Sequence, residues 1–155
     1  MVSALKKLSA NELELLYKAP ILVSILIAGA DGNIDRKEIT EAILSAEKKT
    51  TRRSSLIATL FQEIAQDFED KLKILLQQYP YKSSERNPMI VKELEQLNPL
   101  WAKIDPAFAD EFYKTLLNIS SRIASSSGGI LGYNAIGSEE SRFIKLEMIK
   151  NPSST

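Results

Sequence analysis

Apolar residues along this chain recur at helical spacing, and no segment shows the strict alternation of a half-buried strand. Ser9 with Glu12 three residues on has the form of a capping box, predicting a first helix to about Lys18. Pro20 suits the first turn of a second helix, where its missing N–H costs nothing. Asp35 with Glu38 repeats the box for a third, with Ile39, Ala42, Ile43 and Ala46 on one face, fading near Lys48. "KKTTRR" (48–53) is a polar connection. Helical spacing resumes with Ile57, Leu60, Phe61, Ile64 and Phe68, then Leu72, Leu75, Leu76 and Tyr79, as one helix or as two broken near Asp67.

"YPYKSSERNP" (79–88) carries two prolines among polar residues and is expected as a loop. A helix through Ile90, Val91, Leu94 and Leu97 comes next, with Pro99 and Trp101 beginning a short extra turn. Asp105-Pro106 is a strong helix start, and Phe108, Phe112, Leu116, Ile119 and Ile123 form the clearest apolar stripe in the chain. "SSSGG" (125–129) is expected to end that helix, since glycine tolerates a left-handed cap. A last helix over about Ser138 to Lys150 would bury Phe143 and Leu146. The fold class is all-α: seven or eight helices in a single domain over 1–150, with 151–155 as a flexible tail.

Composition narrows the chemistry. At 155 residues the chain is long enough for one domain with a sizeable core. Twenty Lys plus Arg balance twenty Asp plus Glu, so no global field favours nucleic acid or anionic membrane. With no His and no Cys, there is no Ser-His-Asp triad, thiolate nucleophile, zinc finger or disulfide. Any metal must be a hard, oxygen-ligated cation. The run "PILVSILIAGA" (20–30) imitates a signal peptide, but nineteen residues including Glu12 and Glu14 precede it where a short basic region would stand. It is also shorter than the roughly 20 apolar residues that span a bilayer. A buried helix in a cytoplasmic protein, with no membrane insertion, is the expectation.

Two stretches resemble each other. "IAGADG" (27–32) parallels "IASSSG" (123–128), and "IDRKE" (34–38) parallels "IGSEE" (136–140), with "GILGYNA" (129–135) inserted in the second copy. This reads as a duplicated helix, turn, Ile, helix. In the first copy Gly32 matches the glycine of a calcium loop, and Asp31, Ile34, Asp35 and Glu38 fit its back half. Ile27 and Gly29 fall where acidic ligands should lead, which excludes an ordinary EF-hand. Two readings stand: Gly32 turns the chain, Ile34 plugs the core and Asp35 with Glu38 caps a helix; or Asp31, Asp35 and Glu38 also gather a cation.

The pattern "AxADGxIxxxE" with its second copy resembles the tellurite-resistance TerB-like family of all-helical domains, over roughly residues 10–48 and 106–150. That resemblance implies a metal site built from acids of both turns, and a role in stress response or in phage or tellurite resistance. The motif falls on Asp31, Gly32, Ile34, Asp35 and Glu38 in the first copy and on Ile136 and Glu140 in the second. Ser127 and Gly137 stand where Asp31 and Asp35 have their counterparts, so two carboxylates of a symmetric site are missing; Glu139 and Asn134 are candidate substitutes. The metal set is Asp31, Asp35, Glu38 and Glu140, for a divalent cation such as calcium or magnesium.

Other stretches carry less. "GGILG" (128–132) lacks the Lys-Ser/Thr of a phosphate loop. Lys48, Lys49, Arg52 and Arg53 suit a solvated helix end, and Trp101, Tyr79 and Tyr81 a core edge. Glu139 and Glu140 alone do not make an acid–base pair. The expected function is a non-enzymatic binding module; the alternative is a helical protein–protein interaction module with no metal.

Overall fold

The capping box at Ser9 forms as the sequence predicts: Ser9 N–H donates to Glu12 Oε1 at 2.9 Å and Glu12 N–H donates to Ser9 Oγ at 3.2 Å. The computed structural model describes residues 5–28, 37, 39, 41, 55–135 and 143–154, with side chains outside 55–56, 125–135 and 154. Its α-helices are α1 (Ala10–Ala28), α2 (Ser55–Gln66), α3 (Phe68–Gln78), α4 (Ser83–Glu95) and α5 (Pro106–Ala135). Short 3-10 turns cover Asn98–Lys103 and Pro152–Ser154. No strand occurs among the described residues, and the fold is all-α.

Helix α1 is continuous where two helices were expected, with Pro20 inside it. An interior proline loses one backbone bond and crowds the preceding turn, at a cost of about 3 kcal/mol. Burial offsets that cost, since every residue from Ala19 to Ala28 is buried. The one hydroxyl on this stretch, Ser24, is satisfied within the helix by donating to the Pro20 carbonyl at 2.8 Å.

Between α2 and α3 the backbone breaks at Asp67 (φ −109°, ψ 13°), which resolves the open reading in favour of two helices. The break lets both stripes reach the core: Ile57, Phe61 and Ile64 from α2, and Phe68, Leu72 and Leu75 from α3. The expected loop 79–88 shrinks to 79–82, because α4 begins at Ser83 and takes in Pro88. Buried Ile90 and Leu94 hold α4 down, and Arg86 Nη1 donates to the Tyr81 carbonyl at 3.0 Å across its N-terminal end. Tyr81 itself is 92% exposed and is no core-edge residue, unlike buried Trp101 and half-buried Tyr79.

Asp105 starts α5, its Oδ2 accepting from Phe108 N–H at 3.3 Å. The helix then runs 30 residues, about 45 Å, straight through "SSSGG". The glycines weaken a helix by about 1 kcal/mol each without breaking it, and no proline follows Pro106 before the helix ends at Ala135. The inserted "GILGYNA" thus lengthens α5.

The closing segment is shorter in helix than expected. Phe143 and Ile144 are helical, turns follow, and Leu146 sits at φ 51°, a strained left-handed position for a branched side chain. Burial holds it there: Leu146 and Ile149 are inside the core. Side chains fasten the backbone, with Asn98 Nδ2 donating to the Met148 carbonyl at 3.1 Å and Trp101 Nε1 to the Lys150 carbonyl at 2.8 Å. Lys150 N–H returns a bond to Asn98 Oδ1 at 2.8 Å. Beyond Lys150, where the sequence suggests a loose tail, Ser153 Oγ donates to Asp110 Oδ1 at 2.6 Å.

One buried cluster runs from Leu5 to Ile149 and draws on all five helices. At its centre Phe112 meets Phe61 at 6.1 Å, Trp101 edge-on at 6.4 Å and Phe108 stacked at 6.4 Å. No helix among the described residues is long and apolar enough to cross a membrane.

Candidate functional site

In sequence, the acidic stretch 31–38 lies between two buried anchors. Ile27 and Ala28 close α1 inside the core, and Ile39 is fully buried, while Lys37 and Glu41, helical like Ile39, are exposed. Ile39 thus faces inward as its spacing predicts. Asp31, Asp35, Glu38 and Glu140 lie outside the described residues, as do Gly32, Ile34, Asn134's side chain, Ile136 and Glu139. Among the described residues no group of three or more Asp and Glu could hold a metal ion.

Direction comes from the helices that carry the two turns. Helices α1 and α5 pack against each other more extensively than any other pair among the described residues. Lys103, just ahead of α5, bonds Glu12 in the first turn of α1 at 2.7 Å. Further along, α2 touches both helices: the Tyr17 hydroxyl donates to Glu63, while Phe61 lies against Phe112. From neighbouring starts, α1 and α5 therefore run the same way.

Set side by side without a gap, the two helices match. Tyr17 and Lys18 fall on Tyr113 and Lys114, Ser24 on Ser120, and Ile27-Ala28 on Ile123-Ala124. The burial agrees, since Leu16 and Phe112, Val23 and Ile119, and Ser24 and Ser120 are all fully enclosed. The two serines are satisfied in different ways. Ser24 Oγ bonds back to Pro20, whereas Ser120 Oγ donates to the Ile144 carbonyl at 2.8 Å and so anchors the closing segment to α5.

One stripe differs between them. In α1 Leu15, Ala19, Leu22 and Leu26 are apolar and buried. Their counterparts in α5 are Glu111, Thr115, Asn118 and Arg122, all polar and, except for buried Thr115, half-buried. Thr115 Oγ1 satisfies itself by donating to the Glu111 carbonyl at 2.7 Å. Glu111 Oε2 and Arg122 Nε are shut off from solvent, with no hydrogen-bond partner among the described residues. Leaving such atoms unpaired costs about 1–3 kcal/mol each. Eleven residues separate them, about 16 Å of helix rise, so they cannot satisfy each other within one helix.

The remaining charges act as ties. Lys18 meets Glu93 of α4 at 3.0 Å, and Lys71 of α3 sits over the Tyr17 ring, 5.7 Å from its centre. Burial, reinforced by the Glu63 carboxylate that accepts its proton, pushes the Tyr17 phenol up to about 12. The Lys103 ammonium, and then the Ser9 N–H, hold Glu12 below the usual carboxylate range. Burial lowers the Arg86 guanidinium against a smaller opposing pull from Tyr81. Tyr17, Lys18 and Lys71 read as fastenings between helices, and Arg86 as one across the N-terminal end of α4.

The polar α5 stripe is invisible when residues are weighed one by one for metal ligation and catalysis. Its signal is present in the sequence, but only as a difference: it emerges when α5 is laid on α1.

A comparison with known proteins adds kinship. The chain is 31% identical over 128 residues to "Uncharacterized protein ORF11'" of Methanothermobacter thermautotrophicus, covering 79% of this chain and 78% of the relative. The chain belongs to that protein's family. No family model matches the sequence, and no solved structure matches it. The name of the ORF11' relative carries no activity, so function in this family rests on the chemistry of its residues.

Proposed function

We propose that the protein is a non-catalytic helical binding module whose ligand is a divalent cation, held by Asp31, Asp35 and Glu38 from the turn after α1 and by Glu140 from the segment after α5. The observation that carries this reading is the parallel course of α1 and α5 from tied starts, Glu12 to Lys103. Helices that begin together and run the same way point to one end of the molecule, although α5 runs on from Ala124, the counterpart of Ala28, to Ala135, about 16 Å further. The Ser120 bond to Ile144 supports it further, because the chain beyond Glu140 returns to the height of Ser120, the counterpart of Ser24.

The donor set suits a hard cation. Four carboxylates with no imidazole or thiolate favour calcium or magnesium over zinc or copper. Capping and coordination are compatible, since a carboxylate has two oxygens and a cap uses one. In this reading the module is TerB-like, as its "AxADGxIxxxE" pattern suggests, and serves a response to tellurite or related stress.

Thermal unfolding tests the cation. Millimolar calcium, magnesium or manganese should raise the Tm of the native chain, by about 2.7 kcal/mol of linkage at a hundred times Kd. The rise should vanish in an Asp31→Ala, Glu38→Ala double variant and shrink in the milder Asp31→Asn. No shift with any of the three ions would reject the reading.

A further inference from the structure

We propose that α4 is a self-association element: it pairs antiparallel with α4 of a second copy of the chain, across the exposed face that carries Glu85, Pro88, Met89 and Lys92. The inference is independent of the cation reading, because α4 carries none of the proposed ligands. This face is open to solvent. Glu85, Pro88, Met89 and Lys92 are all exposed, while Arg86, Asn87, Ile90 and Leu94 turn the opposite side of the helix into the protein. Among the described residues the exposed large apolar side chains are Ile74, Tyr81 and Met89, and two of the three sit on α4 or directly ahead of it. Met89, 47% exposed beside Pro88, gives the face an apolar centre.

Charge decides what covers that centre. Glu85 and Lys92 are almost two full turns apart, so they lie on one line along the helix, separated by about 10 Å of rise. They cannot pair with each other, and neither enters an ion pair with another described residue. Their midpoint falls between Pro88 and Met89. A twofold axis there sets Glu85 against Lys92 of the partner subunit and Lys92 against Glu85 of the partner subunit, with Met89 meeting Met89 of the partner subunit beside the axis. Lys82 and Glu95, exposed at the two ends of the helix, repeat the same reversal of charge about the same midpoint. A parallel pairing would bring Glu85 against Glu85 and Lys92 against Lys92, which like-charge repulsion disfavours. The order Lys, Glu, apolar centre, Lys, Glu is thus complementary to itself when reversed, and a second copy supplies that reversal by symmetry.

Sedimentation equilibrium on the full chain, in EDTA so that cation binding cannot contribute, tests the pairing over a series reaching about 1 mM protein. The native chain should self-associate to a dimer that weakens as salt rises. Glu85→Lys alone and Lys92→Glu alone should each weaken the dimer by about tenfold, because each puts like charges face to face on both sides of the axis. Mixing these two single variants should restore association as a heterodimer, and the double variant should pair with itself. Met89→Asp should weaken the dimer by a similar factor, since two carboxylates would then meet beside the axis, whereas Ile74→Asp on α3 should leave it unchanged. Circular dichroism checks that each chain is folded, and Glu85→Gln or Lys92→Gln replaces a reversal that is not. A native chain that stays monomeric throughout the series, a dimer indifferent to both reversals and to Met89→Asp, or a dimer lost in Ile74→Asp would overturn the proposal.

Discussion

Tyr17 shows how much a single side chain can tie together. Its ring carries Lys71 from α3, its hydroxyl donates to Glu63 of α2, and its own helix is the one wrapped by the core. Because the phenol is raised from 10.0 to about 12, the folded state favours the protonated form more than the unfolded chain does. The stability this contributes is fully present below about pH 10 and is lost as pH rises through about 12. Urea midpoints of the native chain should therefore fall between pH 9 and roughly 12 more steeply than those of Tyr17→Phe, which has no phenol to ionise. Parallel slopes for the two proteins would show that Tyr17 does not feel its neighbours. From the sequence alone Tyr17 reads only as an apolar position, because Glu63 and Lys71 reach it from distant parts of the chain.

At the scale of the element, the starts of helices are legible and their interruptions are not. Ser9 with Glu12 and Asp105 with Pro106 are local signals, completed within a few residues, and both cap as expected. Pro20, Pro88 and the Gly128-Gly129 pair are local signals too, yet the helices pass through them. Each costs a bounded amount, and around Pro20 and Pro88 the opposing gain comes from burial against elements far away in sequence. The turn at Leu146 errs in the other direction: a helical pattern gives way because Asn98 and Trp101 capture the backbone just beyond it. The continuity of α5 can be checked directly. Gly129→Ala should stabilise the protein by about 0.5–1 kcal/mol if residue 129 is helical, and destabilise it if that glycine holds a left-handed cap. Chemical denaturation of the two proteins distinguishes the outcomes by sign alone.

For the whole molecule, the likeness of "IAGADG" to "IASSSG" is legible in the sequence, but the packing of the helices that carry them is not. The words match at the end of α1 and within α5, which runs on to Ala135; that those helices start together and run the same way depends on Lys103, Glu12 and the bridging α2. The all-α class follows from spacing alone, whereas five described helices stand beside the seven or eight expected, through fusion at Pro20, the turns after Ile144 and the helix expected from Asp35, most of which lies outside the described residues. The carboxylates are visible at once as chemistry, because Asp and Glu carry it in their side chains. The α5 stripe is not, because its meaning lies in what α1 has at the same positions. If acids from both halves gather at one end to hold a cation, paramagnetic manganese will report on all of them together. In a titration of the isotope-labelled protein with Mn²⁺, amide signals should broaden first around Asp31, Asp35 and Glu38 and, at the same ion concentration, around Glu140. Broadening confined to one of the two stretches, or spread over surface carboxylates such as Glu69, Asp70 and Glu95, would contradict it.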